Sequence, residues 1–183
     1  MSVTSVSRSV QARLDEAMGH MNAAGMLERK LDPTVGHSAT LLNTLAFEIL
    51  LKTVFLATRS KLKGSHNYRE IWLELPQEVR RSILISACDR FVGHADYMKL
   101  GTLLKDWRKT FEKARYSYEA NDSRSDDALE KASSNWDEPD FNFHPIELQG
   151  LNESMLNWLR KWVDRLEQRQ KQVGNDQLPG SGS

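Results

Sequence analysis

Cysteine is almost missing. Cys88 is the single one in 183 residues, so no disulfide forms within the chain and no thiolate metal cluster is available. Such usage suits a reducing compartment. Excess charge is missing too, because 25 Lys and Arg offset 25 Asp and Glu. That excludes a globally basic nucleic-acid binder. A local basic face stays open, since acidic residues crowd between Asp122 and Asp140. No phosphate loop, dinucleotide fingerprint or serine-nucleophile elbow occurs. His20, His37, His66, His94 and His144 are scattered. None pairs at a metal spacing with a third ligand, so no metal and no cofactor is expected. No segment alternates in the manner of a strand. The longest apolar-rich stretch, Leu41 to Ala57, is interrupted by Asn43, Glu48 and Lys52. It reads as too short and too charged to cross a bilayer. The first residues lack the basic-then-apolar pattern of a secretion signal. The expectation is a soluble, cytoplasmic protein without a membrane partner.

What is present is helical periodicity. Residues 5 to 31 carry Val6, Val10, Leu14, Met18 or Ala17, Met21 and Leu27 on one side. Leu31-Asp-Pro-Thr-Val-Gly36 reads as a break. A second helix from about Ser38 to Ser60 is apolar around most of its circumference, the mark of a central helix. Within it Glu48 and Lys52 stand four apart in the favourable order for pairing. Ser65 or Asn67 suits the cap of a short helix carrying Tyr68, Ile71, Trp72 and Leu75. Pro76 ends it, and Gln77 to Val92 reads as the next helix. Residues 122 to 147 are polar, acidic and proline-interrupted, and read as an irregular insertion. A last helix runs from about Asn152, taken as its cap, to Val173. These boundaries divide the chain into an N-terminal extension (1–35), a helical domain (36–173) and a tail (174–183). The fold class is all-α, a bundle of five to six helices.

The segment Gly101 to Glu119 organises the rest. Leu103, Leu104, Trp107, Phe111, Ala114 and Tyr118 recur at spacings of three and four, giving one apolar stripe. Arg115 lies at its edge, four residues before Glu119. A polar cluster against a core-facing surface is costly unless paired. Arg115, Tyr118 and Glu119 are therefore candidate site residues, with Tyr116 beside them. Their bland reading is a structural ion-pair cluster, with Glu48 as one partner. His66, in a loop after Gly64, suits a general base or a helix-end hydrogen bond. Lys105, Arg108, Lys109, Lys113 and Arg115 form a cationic flank. With Arg59, Lys61 and Lys63 it reads as an RNA-binding face or as an ordinary solvated one.

The order of these signals resembles the HEPN superfamily, small all-α domains of prokaryotic defence and toxin–antitoxin systems. The resemblance rests on Leu45-Ala-Phe-Glu-Ile-Leu-Leu-Lys52, on Gly64-Ser-His-Asn-Tyr68, and on Phe111-Glu-Lys-Ala-Arg-Tyr-Ser-Tyr-Glu119. The last is similar to the Arg-Tyr-x-Tyr-Glu run of one branch. It covers roughly residues 38 to 121 and the final helix. Active ribonucleases of the superfamily carry Arg, four to six residues, then His. Counted from Arg115 those positions are Ala120, Asn121 and Asp122. The resemblance thus implies a homodimer without the standard ribonuclease site. Glu48, Lys52, Asn67, Arg108 and Tyr116 are candidate binding residues.

Three functions fit. One is a dimerising module that binds protein, nucleotide or RNA. A second is a divergent, metal-independent endoribonuclease. In it Arg115 stabilises the phosphorane, and Tyr118, Glu119 or His66 moves the proton. The third is a small inhibitor or adaptor whose acidic insertion mimics nucleic acid or clamps a basic partner. A protein partner is expected, and an antitoxin is the partner that goes with the ribonuclease reading.

Overall fold

The computed structural model describes residues 3–30, 33–121 and 144–176, with backbone only for 3–4, 33–37, 113–121, 171 and 173–176. Among the described residues there are six helices and no strand. They are α1 (Val3–Glu28), α2 (Pro33–Arg59), α3 (Tyr68–Glu74), α4 (Gln77–Arg90), α5 (Leu100–Asn121) and α6 (Pro145–Asp176). The expected all-α bundle is what the chain adopts.

The centre is α2, which packs against α1, α3, α5 and α6. Its apolarity explains this place. Ala46, Phe47, Leu50, Leu51, Val54, Phe55 and Leu56 are all buried, so they line more than one side of the helix. By length and composition alone, Ser38–Arg59 is apolar enough to cross a membrane, contrary to the expectation from its interrupting polar residues. In the bundle most of that stretch is buried by its neighbours. α1 lies along α2 and buries Val6, Val10, Leu14 and Ala17. α4 joins the body mainly through α6. Phe47 binds the centre to the site side, edge-on to Tyr68 at 5.3 Å and to Trp107 at 5.1 Å.

Two helix starts differ from expectation for one local reason. α2 starts at Pro33 instead of about Ser38, and α6 at Pro145 instead of Asn152. Proline loses nothing in the first helical turn, where its missing N–H has no partner to lose. The irregular insertion therefore ends before 145, and residues 122–143 lie outside the described residues. Asn152 is no cap. It is buried inside α6 and donates to the Asn43 carbonyl of α2 at 3.0 Å. Gly150, also within α6, leaves space for a close approach. A Cβ there would collide with the Tyr97 hydroxyl and press on the Phe91 ring at 3.3 Å. Tyr97 donates to the Glu147 carbonyl, and the Asp96 amide donates to the Glu147 carboxylate. These bonds hold the α4–α5 connection onto the first turn of α6.

Candidate functional site

The polar centre of the molecule is Glu48. It sits in mid-α2 on the side facing α3 and α5, and is 7% exposed. Lys52, one turn later, donates to Oε1 at 2.9 Å. Tyr68, the first residue of α3 and fully buried, donates its hydroxyl to Oε2 at 2.8 Å. His66 Nδ1 stands 2.9 Å from Oε1. Its N–H direction is poorly aligned with that oxygen, so it is a close electrostatic contact, not a well-formed hydrogen bond. The His66 ring stacks on Phe111 of α5 at 6.0 Å. Nδ1 is buried while the side chain is 42% exposed, so the opposite edge of the ring faces outward.

The loop that delivers His66 and Tyr68 is ordered by short-range bonds. Ser65 Oγ accepts from the Asn67 amide at 3.0 Å, and Asn67 Oδ1 accepts from the Glu70 amide at 3.3 Å as the cap of α3. Ser60, at φ 55°, turns the chain out of α2. Arg59 then donates to the Glu74 carbonyl at 2.7 Å, closing the loop at the far end of α3.

The electrostatics close this centre. Burial alone would raise the Glu48 carboxyl, but Lys52, His66 and Tyr68 outweigh burial and hold it below its usual value of 4.5. Burial first, and then the Glu48 carboxylate, push the Tyr68 hydroxyl far above the usual phenol range. Glu48 stays charged with both oxygens engaged, and Tyr68 keeps its proton. Neither is poised as a base or nucleophile.

Beside this hub, α3 and α5 form an open groove of about 780 Å³. Asn67, Arg69, Glu70 and Leu73 line one side, and Lys99, Gly101, Thr102, Leu104, Lys105 and Arg108 the other. Glu70 pairs with Lys63 at 2.8 Å, a cation it shares with Glu74. Arg108 is partly engaged by Glu112 at 2.7 Å. Arg69, Lys99 and Lys105 have no ion-pair partner among the described residues.

Of the residues singled out from the sequence, Glu48, Lys52 and His66 meet in one cluster. Asn67 is the adjoining cap, and Arg108 stands on the groove. Arg115, Tyr116, Tyr118 and Glu119 fall on the last turns of α5, and their side chains lie outside the described residues. Lys63 and Arg59, read as parts of a free basic face, are instead bound to α3. Lys63 bridges Glu70 and Glu74, and lies 5.9 Å from the Phe55 ring centre. Sequence reasoning misses Tyr68, Arg69 and Lys99. A signal for Tyr68 exists: a tyrosine on a core-facing helix position needs a partner for its hydroxyl. Among the described residues no group of His, Cys, Asp and Glu is arranged to hold a metal. No family model, curated protein or solved structure matches the chain.

Proposed function

We propose that this chain is a HEPN-like helical interaction module without the standard ribonuclease chemistry, acting in a defence or toxin–antitoxin setting. Its recognition surface is the groove between α3 and α5, which takes an anionic partner. The observation that carries this reading is the groove's charge. Arg69, Lys99 and Lys105 face it without ion-pair partners among the described residues, and they outnumber its one carboxylate, Glu70, which shares Lys63 with Glu74. The hub behind the groove supports a silent site, because Glu48 and Tyr68 are engaged with each other. Self-association is the second part of the proposal. A hollow of about 470 Å³ at α4 exposes Ile85 beside Leu84, ringed by Gln77, Arg80, Arg81 and Asp89, and this surface is offered to a second copy.

The test uses wild type and a variant with Arg69→Glu and Lys105→Glu. Both positions are exposed, so the fold should survive the change. Fluorescein-labelled heparin should bind wild type and lose most of its affinity for the variant, with a marked salt dependence. Equal binding by both would refute the groove as the anion surface. Wild type is also incubated with mixed cellular RNA in EDTA and sized by light scattering. Intact RNA and a dimer are expected. Cleavage would instead support the divergent ribonuclease, whose candidate proton carrier in the described structure is the outward edge of His66.

A further inference from the structure

The groove is not uniformly polar. Leu73 of α3 is 54% exposed at its wall, and the buried Leu104 of α5 lies on its inner side. Cations therefore surround one exposed apolar side chain, that of Leu73, over the buried Leu104. The groove is also short. The seven residues of α3 and the run from Gly101 to Arg108 each extend ~10 Å, about two turns of helix.

These features discriminate between anionic ligands. Single-stranded RNA is held largely by stacking its bases on aromatic rings, and no aromatic residue among the described residues lines this groove. A nucleic-acid backbone also has no use for an exposed leucine. An amphipathic helix uses both features. Its apolar side chains at i, i+3 or i+4 pack on Leu73, and acidic residues on the flanks reach the cations on either wall.

Resting on the anion-recognition reading above, we propose that the groove's occupant is an acidic amphipathic helix of a partner protein. It sets its apolar side chains against Leu73 and its carboxylates against Arg69, Lys99 and Lys105. The cations on the two sides of the groove orient it, and Leu73 sets its register.

The experiment selects from a displayed library of random peptides of about 15 residues, a length at which a helix is marginal alone and can form on binding. The probe for nucleic acid is a single-stranded oligoribonucleotide of mixed sequence. Enriched peptides should combine Asp and Glu with leucine-like residues at helical spacing. The best synthetic peptide should weaken about tenfold or more on Leu73→Asp, and likewise on Arg69→Glu with Lys105→Glu. Leu73 is solvent-exposed, so its substitution leaves the core intact. Enriched peptides without acidic residues would overturn the proposal. So would indifference to Leu73→Asp, or tighter binding of the oligoribonucleotide than of the best peptide. If heparin binding survives the charge reversal, the anion reading itself has failed. If heparin binding is lost but Leu73→Asp leaves the peptide unaffected, only the helical occupant has failed.

Discussion

Glu48→Gln isolates the hub, because it removes a charge and nearly nothing else. The carboxamide keeps one oxygen acceptor and gains an NH₂ donor. Two of the surrounding groups, Lys52 and His66, approach the same carboxylate oxygen, and Tyr68 donates to the other. If the amide oxygen keeps Lys52, its NH₂ faces Tyr68, whose hydroxyl must stop donating and accept instead. If it keeps Tyr68, it abandons Lys52, whose side chain is only 14% exposed. A hydrogen bond to a charged group contributes about 1.5–3 kcal/mol, and a buried partner left unpaired adds its own penalty. The expected loss is about 3 kcal/mol, roughly two decades in the unfolding constant. Urea unfolding of the purified protein measures it, as a lower midpoint at unchanged slope. Combining Glu48→Gln with Lys52→Met should cost less than the two single changes summed, by about 1–3 kcal/mol, because the double variant strands no charge. A Glu48→Gln loss under about 0.5 kcal/mol, the scale of an ordinary surface change, would refute the hub as a stabilising network. So would strict additivity with Lys52→Met.

The same pair of proteins yields a pH prediction. The Glu48 carboxyl is held below 4.5 in the fold, so its stabilisation is present above the unfolded value and lost as pH falls through the folded one. The urea-midpoint gap between wild type and Glu48→Gln should be flat at neutral pH and close only in acid below 4.5. Gly19 lies exposed inside α1, and a Cβ added there would meet nothing within 4 Å. Gly19→Ala should therefore raise stability by about 0.5–1 kcal/mol, read as a higher Tm. Gly150→Ala gains the same helical preference but displaces the Tyr97 hydroxyl from the Glu147 carbonyl and presses on Phe91. A net loss of about 1 kcal/mol is expected, shrinking in a Tyr97→Phe background. Asn67→Ala removes the cap of α3 and should cost about 1 kcal/mol in the same assay.

Local patterns in the sequence carry the fold a long way. α2 is legible as the central helix because its apolar residues wrap around it, and Lys52 pairs with Glu48 as their spacing requires. The stripe Leu103, Leu104, Trp107 and Phe111 is buried as its period demands. Helix starts at Pro33 and Pro145 are harder, since a proline reads as a break until its first-turn position is known. The site is legible only in part. His66 and Tyr68 lie eighteen and twenty residues beyond Glu48, and no spacing rule announces contacts that a turn and a cap create. From the sequence, Glu48 is a candidate partner for Arg115, whereas its partners among the described residues are Lys52, His66 and Tyr68. The groove is hidden for the same reason. Arg69 and Lys99 belong to different elements and share a surface only after α3 packs on α5.

Where the chemistry of this protein acts follows from what the hub has left over. A general base needs a lone pair within reach of a substrate proton. Both Glu48 oxygens are occupied by protein donors, and the Tyr68 hydroxyl points into the core with its proton held. Lys52 bonds to the same carboxylate. Of the four groups, His66 alone presents an edge to solvent, and its buried edge meets Glu48 off the hydrogen-bond direction. A carboxylate that aligns a catalytic imidazole exerts its influence through a straight N–H···O bond. Here the well-formed bonds come from Lys52 and Tyr68, one on the same helix and one from α3. Such a network fixes the start of α3 to α2, and with it the walls of the groove that α3 shares with α5. On that geometry the hub sets the shape of the groove, and under the proposed reading the groups that would meet a partner are the cations and Leu73 that face outward from it.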